Sequence, residues 1–429
     1  MKIVGKTAAE IFDSIRQLAQ SHRLAPGQAL PPVRELAQTL AVNRNTVAAA
    51  YKRLVGAGIA VTQGRLGTVI RQPDAPAEQE GGQPDSPLTD LASGNPDPAW
   101  LPDLSALPRR PYRPRLYGEA PVNPGLVAYA RQWCADACPD GAGIDLAHGA
   151  VDAVERLLAA HLVAGDKVAV EHPCFLSSIS TLRVAGLQPV GVPVDAEGMR
   201  PDALQAALDQ GVQAVIVTPR AHNPTGCCLS ARRARALRQL LARHPYVLVI
   251  VDDHFAMLSD APYHAVIPAQ ARRWALVRSV SKALGPDLRL AFVASDAQTA
   301  QRLRLRLACG THWVSHLLQD IVEDCLATPD IQARIAQARQ VYAARRAMLA
   351  DALAAQGVAT PPGDGLNLWL PLPGDSQPLA FALARLGWLV RGGEAFGVEH
   401  PAHGLRLTSA SLDAATAQRL AVDLKRCLG

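Results

Sequence analysis

The sequence predicts a small N-terminal winged helix-turn-helix domain at residues 1–71, a linker at residues 72–88 and a large α/β body at residues 89–429. Three observations support this division. The chain has 429 residues, of which 49% are apolar, so it can bury two or three cores. Basic residues are concentrated near the N-terminus. Only after the linker do apolar runs of five to eight residues alternate with amphipathic helical stretches.

The N-terminal domain is strongly basic. Its 71 residues contain three Lys and seven Arg against three acidic residues, a net charge of +7. Since the whole chain carries +5, the remainder sums to −2. A basic domain on a nearly neutral body indicates that this domain alone binds a nucleic acid or a membrane surface. No apolar run approaches the roughly 20 residues of a membrane span, and no signal-peptide core is visible. We therefore predict a soluble, cytoplasmic protein with no membrane partner.

Three helices and a two-stranded wing are predicted in the N-terminal domain. Apolar residues recur at helical spacing in residues 7–22, after Pro31-Pro32 and after Asn43, a good N-cap. Only residues 41–43 separate the second and third helices, which is the spacing of a helix-turn-helix. Residues 59–70 contain two short β-rich runs around a glycine-flanked turn, as in a wing.

Polar side chains cluster where helix-turn-helix proteins contact DNA. Arg44, Asn45 and Thr46 lie at the start of the third helix, where side chains can reach base edges. For any single arginine, a solvated basic surface is the alternative interpretation. Other basic residues are suited to phosphates, which set affinity rather than sequence preference: Arg34, Lys52, Arg53 and the wing residue Arg65.

Two motifs connect this domain to a known family. They are Leu30-Pro31-Pro32-Val33-Arg34-Glu35-Leu36-Ala37 and Asn43-Arg44-Asn45-Thr46-Val47. With them, residues 8–70 resemble the winged helix of the GntR regulators. The resemblance implies a double-stranded DNA operator as partner, contacted by Arg34, Arg44, Thr46 and the wing around Arg65.

Three polar motifs and one arginine of the body fit a single kind of cofactor site. They are Asn223-Pro224-Thr225-Gly226, Asp252-Asp253 at the end of the most apolar run, Arg278-Ser279-Val280-Ser281-Lys282, and Arg289. A lysine can form a Schiff base, and a carboxylate can keep a pyridine nitrogen protonated. Hydroxyls, an arginine and a helix N-terminus can bind a phosphate. Each motif alone is weak, but their order and spacing together predict a site for pyridoxal 5'-phosphate (PLP).

From about Thr89 onward the body resembles fold-type I aminotransferases, and with its GntR-like domain the chain is similar to the MocR regulators, in particular the branch that responds to vitamin B6. The resemblance implies a PLP-binding homodimer whose body has a large subdomain to about residue 325 and a small C-terminal one. For the cofactor ring, it implies Lys282 as the Schiff-base lysine, Asp252 beside the pyridine nitrogen, Asn223 beside the ring hydroxyl and Phe175 stacked on the ring.

The resemblance also implies residues for two anionic groups. The cofactor phosphate would be bound by Ser279, Arg289 and the backbone amides of Gly149, Ala150 and Val151, with Tyr117 reaching it across the dimer interface. Arg406 would bind a substrate or effector carboxylate.

One position departs from the family pattern. The relatives usually carry Tyr shortly after the paired acids, where this sequence has His254. An imidazole can still donate to the ring hydroxyl, but imidazoles change charge near neutral pH. The departure therefore puts transamination in doubt more than cofactor binding. A packed role for His254 behind the site is the alternative.

These observations predict a homodimeric transcriptional regulator that binds PLP and responds to a small molecule, with PLP itself as the leading effector and vitamin B6 metabolism as the target. The alternative is an active PLP-dependent aminotransferase with an autoregulatory DNA-binding domain. A third interpretation is an empty scaffold that senses another amine. No metal site is predicted, because the eight cysteines form no Cys-x-x-Cys motif and small buried thiols are the better interpretation.

Overall fold

The computed structural model describes residues 2–63, 67–71, 80–81, 86–107, 110–111 and 113–429. The chain divides into two units with separate hydrophobic cores. The N-terminal unit comprises Met1–Ala77 with Val163–Gly165, and the large unit comprises Glu78–Leu162 with Asp166–Gly429.

The N-terminal unit is the predicted winged helix-turn-helix. Asn43 caps its third helix by accepting a hydrogen bond from the backbone amide of Asn45 at 2.8 Å. Ala41 adopts a left-handed conformation (φ 52°) that reverses the chain between the second and third helices. Val47 and Leu54 are fully buried on the inner face of the third helix. The elements are α1 (Ala8–Gln20), α2 (Val33–Leu40), α3 (Arg44–Gly56) and the antiparallel strands β1 (Ala60–Gln63) and β2 (Gly67–Ile70).

The large unit is built on a mostly parallel sheet, as predicted. Its strands are β4 (Gly143–Ala147), β5 (Lys167–His172), β6 (Gln188–Asp195), β7 (Gly198–Met199), β8 (Ala214–Val217), β9 (Leu248–Asp252), β10 (Trp274–Ser279) and β11 (Ala291–Ser295). They are hydrogen-bonded in the order β4-β11-β10-β9-β8-β5-β6-β7. Strands β6, β5, β8, β9 and β10 pair in parallel, whereas β11 is antiparallel to both its neighbours and β7 is antiparallel to β6.

Helices cover both faces of this sheet, which explains the continuous apolar runs of its central strands. Along β9, Leu248 and Ile250 point into one core while Val249 and Val251 point into the other. The helices are α4 (Pro124–Cys134), α5 (Ala150–His161), α6 (Leu176–Val184), α7 (Pro201–Asp209), α8 (Ala231–Leu241), α9 (Ser281–Leu284), α10 (Ala297–Ala308) and α11 (His316–Ala327).

The C-terminal part packs around a hydrophobic core of its own. Its helices are α12 (Pro329–Ala355), α13 (Gln377–Arg385) and α14 (Ala414–Leu428), and its strands are β12 (Asn367–Pro371), β13 (Trp388–Leu389), β14 (Arg391–Gly392) and β15 (Gly404–Thr408). Strands β12, β15 and β14 form one antiparallel sheet. The start of the large unit, β3 (Thr89–Asp90), pairs with β13, a contact that the sequence did not predict.

Short 3-10 helices occur at Pro98–Trp100, Leu104–Ala106 and Gly393–Phe396. Throughout the part of the chain that the structure describes, no helix combines the length and the apolar character needed to cross a membrane.

The N-cap of α3 allows a direct test of the N-terminal unit. Asn43→Ala removes the side-chain acceptor of the Asn45 amide and should cost about 1 kcal/mol of local stability. Exchange of the first amides of α3 with deuterium should then be roughly fivefold faster in the full-length protein. Asn45→Ala is the matched control, because Asn45 contributes only its backbone amide to this bond. Equal acceleration in both variants would contradict the capping role.

Candidate functional site

The carboxyl ends of the parallel strands bring most predicted site residues to one edge of the sheet. Asp252 ends β9, Ser279 ends β10, and Lys282 lies in the short helix α9 immediately after β10. Asn223 follows β8, and Phe175 follows β5 as the N-cap residue of α6. In open α/β sheets this edge is where ligands bind.

The half-buried Lys282 amine lies near one acidic and one basic side chain. Its Nζ donates a hydrogen bond to the carbonyl oxygen of Gly94 at 2.7 Å. Burial lowers the pKa of Lys282, the nearby Glu80 carboxylate opposes this shift, and the Arg406 guanidinium adds to it. A lysine with a lowered pKa more readily supplies the neutral amine that reacts with a carbonyl compound.

The Asp252 carboxylate has a vacant acceptor position. Its Oδ1 is buried and finds no hydrogen-bond partner among the described residues. Burial raises the pKa of Asp252, and the charge of Asp253 adds to the effect, although His254 opposes it. A buried carboxylate oxygen without a donor is costly unless a charged donor comes to it. Asp252 therefore fits the predicted position beside a protonated pyridine nitrogen.

His254 lies next to this carboxylate without bonding to it. Its Nδ1 is 3.8 Å from Asp252 Oδ1, which is beyond hydrogen-bond distance. The side chain is partly exposed, and its ring makes an edge contact with Phe255 at 6.4 Å between centroids. Its role as a donor to a ring hydroxyl stays a prediction.

The neighbouring acid, Asp253, has a different environment. Its side chain is fully buried and accepts two hydrogen bonds from Arg220, at 3.0 and 2.8 Å, and one from Arg278 at 2.9 Å. Both guanidinium groups also lie over the ring of Tyr263, at 5.4 and 5.1 Å. Because these partners satisfy its carboxylate, Asp253 stabilises the fold and leaves Asp252 as the carboxylate available to a ligand.

The predicted phosphate-binding residues are adjacent across the sheet. The strand register pairs Ser279 with Ala291 and Ala291 with Ala147, so the end of β10 lies two strands from the segment that leads into α5. Gly149, with φ at +90°, is the N-cap residue of α5. A Cβ atom at Gly149 would lie 3.5 Å from the guanidinium of Arg289, an exposed side chain.

A helix N-terminus and a guanidinium thus lie together, with the Ser279 hydroxyl two strands away on the same sheet edge, an arrangement that suits a phosphate. The three predicted backbone donors are not equivalent. The Gly149 amide already donates to Ala147 O at 2.9 Å, which leaves Ala150 and Val151 as the better candidates. The Ser279 hydroxyl is 3.2 Å from that of Ser281, which adds a second hydroxyl to this group.

Arg406 and Asn223 contact each other, and they share a partner that the sequence did not predict. The fully buried Arg406 donates from Nη1 and Nη2 to the two carboxylate oxygens of Glu80, at 2.5 and 2.8 Å. Asn223 Nδ2 donates to Glu80 Oε1 at 2.8 Å, and Arg406 Nη1 donates to Asn223 Oδ1 at 3.0 Å. Glu80 lies in the predicted linker, whose composition gave no signal of a buried contact.

Tyr117 is separate from these residues. Its side chain is 89% exposed and contacts the rings of His312 and Trp313, at 6.4 and 5.6 Å between centroids. Its predicted role at the partner subunit's phosphate stays a prediction.

A buried acid that the sequence analysis missed lies near Asp252. Glu171 accepts hydrogen bonds from the Thr218 amide and hydroxyl, both at 2.8 Å, and its Oε2 is 3.5 Å from Nε2 of His222. Burial raises the pKa of Glu171 to about 8, the Thr218 bonds oppose this, and the charge of Asp252 adds to it. Burial also lowers the pKa of His222 to about 3. Burial thus favours the neutral form of both groups, which limits the charge buried around Asp252.

In the N-terminal unit, most predicted DNA-binding side chains are accessible. Thr46 is half-buried, and Arg65 lies outside the described residues. The others are exposed on α2 and α3: Arg34, Arg44, Asn45, Lys52 and Arg53.

Comparison with known proteins identifies both units. Residues 143–424 match the aminotransferase class I and II family, and residues 7–70 match the gntR family of bacterial regulatory proteins. The chain belongs to the MocR-like regulators. The predicted combination of a GntR-type N-terminal domain and an aminotransferase-like body is thereby confirmed.

Relatives of this MocR-like regulator include proteins connected with vitamin B6. It is 58% identical over 427 residues, 99% of each chain, to the vitamin B6 salvage pathway transcriptional repressor PtsJ of Salmonella typhimurium. It is 27% identical over 364 residues to the pyridoxine biosynthesis transcriptional regulator PdxR of Corynebacterium glutamicum, covering 80% of this chain and 78% of that one.

Solved structures of aminotransferases share the fold of the large unit. The Pyrococcus horikoshii kynurenine aminotransferase, solved in complex with PMP, matches with a TM-score of 0.69 and 22% identity over 80% of this chain and 92% of its own. The α-aminoadipate aminotransferase LysN of Thermus thermophilus gives a TM-score of 0.67 at 22% identity over 80% of this chain and 93% of its own. The predicted fold-type I aminotransferase fold is confirmed.

The two adjacent acids should differ in their effect on stability. Asp253→Asn leaves Arg220 and Arg278 buried without a counter-charge and should cost about 3–5 kcal/mol of unfolding free energy. Asp252→Asn, the matched control, removes a buried carboxylate with an unpartnered oxygen and should leave the stability of the cofactor-free protein unchanged or higher. Urea denaturation of both variants measures the difference. A larger loss for Asp252→Asn would reverse the two assignments.

Glu171 should make stability depend on pH. In the unfolded chain it ionises near its ordinary pKa of 4.5, whereas the folded protein keeps its proton up to about pH 8. Between these values the folded state binds more protons, so this contribution to stability falls as the pH rises. Glu171→Gln should therefore flatten the decline in unfolding free energy between about pH 5 and pH 8 relative to wild type.

Chemical denaturation across that range checks the Glu171 prediction. Glu155→Gln, on the exposed side of α5, is the control and should follow the wild type. Identical slopes for wild type and Glu171→Gln would show that the folded protein holds Glu171 ionised.

Proposed function

We propose that this MocR-like regulator binds PLP in its large unit and represses genes of vitamin B6 supply through its winged helix. The relationship to PtsJ, at 58% identity over almost the full length of both chains, supports a repressor of vitamin B6 salvage. PdxR, named for pyridoxine biosynthesis, supports the same area of metabolism at lower identity.

One observation carries the cofactor assignment: the buried Asp252 Oδ1 without a partner, at the sheet edge that also carries Lys282. A protonated pyridine nitrogen would supply the donor that this oxygen lacks. Bound PLP supplies an aldehyde that reacts with amines and a ring that accepts electrons. Lys282 would hold the cofactor covalently, and Asp252 would keep its ring nitrogen protonated.

Other residues of the site would orient the cofactor. Asn223 and His254 would donate to the ring hydroxyl. Phe175, which follows β5 at the same edge, would stack on the ring. The phosphate would lie against Ser279, Arg289 and the N-terminus of α5, where backbone amides and the helix dipole favour an anion.

The N-terminal unit supports binding to double-stranded DNA. Its α3 begins with the exposed side chains of Arg44 and Asn45, which suit the major groove. Arg34, Lys52 and Arg53 would bind phosphates, so that affinity falls as the salt concentration rises.

A homodimer fits an exposed apolar surface of the large unit. Leu116, Tyr117 and Leu317 are 70%, 89% and 55% exposed. The Tyr117 ring contacts Trp313 at 5.6 Å, just before α11, and Arg115 lies 3.9 Å from Asp320 on that helix. Exposed aromatic and aliphatic side chains of this kind are typical of subunit interfaces. Two-fold symmetry would present two winged helices to a two-part operator.

Visible absorption and DNA binding test the proposal together. The wild type should develop a saturable absorption band above the protein range on addition of PLP, and Lys282→Ala should not. Arg44→Ala should weaken operator binding by about tenfold, or roughly 1–3 kcal/mol, while keeping the absorption band. DNA from the promoters of this organism's vitamin B6 salvage genes serves as the probe.

A regulator must also couple the two events. PLP should change operator affinity in the wild type, because an effector shifts an equilibrium only by its differential affinity for two states. Lys282→Ala should lose this response while binding DNA as the unliganded wild type does. An absent band, or operator affinity unchanged across the PLP titration, would contradict PLP as the effector.

A further inference from the structure

Glu80 occupies the position that a carboxylate ligand of Arg406 would take. Its two oxygens meet the two terminal nitrogens of the guanidinium, the paired geometry by which arginine binds free carboxylates. Asn223 adds a third hydrogen bond to the same carboxylate. Its neighbour Gly81 is bound as well, because the Gly81 amide donates to Ser93 O at 2.9 Å. This segment of the predicted linker is therefore attached at both a side chain and the backbone.

The backbone around Gly94 is shaped to admit this carboxylate. A Cβ atom at position 94 would lie 2.4 Å from Glu80 Oε2 and 3.0 Å from Arg406 Nη2, so any side chain there would displace one of them. Gly94 also has φ at +66°, a conformation that favours glycine. The close approach of Glu80 to Arg406 therefore depends on a glycine at this position.

The positive charges of Arg406 and Lys282 also require an anion at the position of the Glu80 carboxylate. Arg406 is fully buried, and Glu80 is the carboxylate whose charge acts on both Arg406 and Lys282. Burial opposes ionisation of Glu80, but the bonds and charge of Arg406, the charge of Lys282 and the Asn223 bond outweigh it and lower the pKa of Glu80. Without a carboxylate, a buried guanidinium would face a lysine with no counter-charge, which is strongly unfavourable.

We propose that Glu80 is an internal competitor for the effector site: a small carboxylate ligand binds Arg406 only by displacing Glu80, which releases the linker from the large unit. The proposal extends the proposed function by naming the chemical class of a second ligand, a carboxylate of amino-acid size, and the event that its binding causes. It does not require PLP, since each contact that carries it belongs to the chain itself.

The extent to which Glu80 weakens the binding of a free carboxylate can be estimated. A carboxylate held on the same chain acts at an effective concentration in the millimolar range or above. The apparent affinity of a free ligand equals its intrinsic affinity multiplied by the fraction of molecules in which the site is vacant. If Glu80 is bound in at least nine molecules of ten, removing its charge should tighten carboxylate binding by about tenfold or more.

The test uses cofactor-free, full-length protein with propionate as the probe and propionamide as its uncharged analogue. Calorimetry measures the Kd, and hydrogen–deuterium exchange at the Gly81 amide reports whether the linker is bound. We compare wild type with Glu80→Gln and with Glu78→Gln, which makes the same charge change two residues earlier in the linker.

Propionate should bind Glu80→Gln at least tenfold more tightly than wild type and Glu78→Gln, and propionamide should bind none of them. In wild type, propionate should accelerate exchange at Gly81, which should already be fast in Glu80→Gln. Equal propionate affinity in all three proteins, no propionate binding to Glu80→Gln, or wild-type exchange at Gly81 that propionate leaves unchanged would each overturn the proposal.

The wild-type exchange titration needs no variant, so a poorly folded Glu80→Gln protein does not remove the test. The result is also independent of the cofactor assignment. A missing absorption band with PLP would count against the proposed function and leave the propionate data intact, whereas failure of competition would leave the band intact.

Discussion

The buried contact of Asp253 with Arg220 and Arg278 holds the site together. Asp253 follows β9, Arg220 lies in the segment after β8, and Arg278 belongs to β10, so one carboxylate joins three neighbouring parts of the sheet edge. The ligand-binding residues are close to these three in sequence: Asn223 comes three residues after Arg220, Asp252 directly precedes Asp253, and Lys282 comes four residues after Arg278. Because breaking a buried ion pair is strongly unfavourable, this contact fixes where the functional groups stand.

Three kinds of ionisable group are buried around this cluster. Asp253 and its arginines are fully paired. Glu171 and His222 avoid charge, because burial raises the pKa of the acid and lowers that of the imidazole. Asp252, at the sheet edge beside Lys282, keeps an unpartnered carboxylate oxygen. A pocket arranged in this way is completed on the carboxylate side by the protein's own Glu80 and open on the side that suits a cationic ring nitrogen.

Much of this arrangement could be predicted from the sequence, for identifiable reasons. Central strands buried on both faces leave continuous apolar runs. Such runs stand at 247–251 and 274–278 of the sequence, within one residue of the bounds of β9 and β10. Polar motifs directly after such runs must lie at one sheet edge, which placed Asp252 and Lys282 together.

The missed features depend on contacts that are remote in sequence. Glu80 is separated from Arg406 by 326 positions and lies in a stretch whose composition is typical of a spacer. The neutral state of Glu171 depends on burial, which the strand pattern alone does not reveal for a polar residue. Strand β3 has only two residues, too few for a periodic signal. The role predicted for Tyr117 requires a second subunit, so neither one sequence nor one chain reveals its partner.

The hydrogen bond from Lys282 to Gly94 makes two binding events thermodynamically linked. Only an amine with free N–H groups can donate to that carbonyl, and a lysine nitrogen joined to a carbon by a double bond keeps at most one proton. The same turn receives the Gly81 amide at Ser93 and borders the Glu80 carboxylate at Gly94. Any chemistry at the lysine nitrogen therefore changes the free energy with which the turn holds the linker. By reciprocity, displacement of the linker changes the free energy of bond formation at the lysine nitrogen by the same amount.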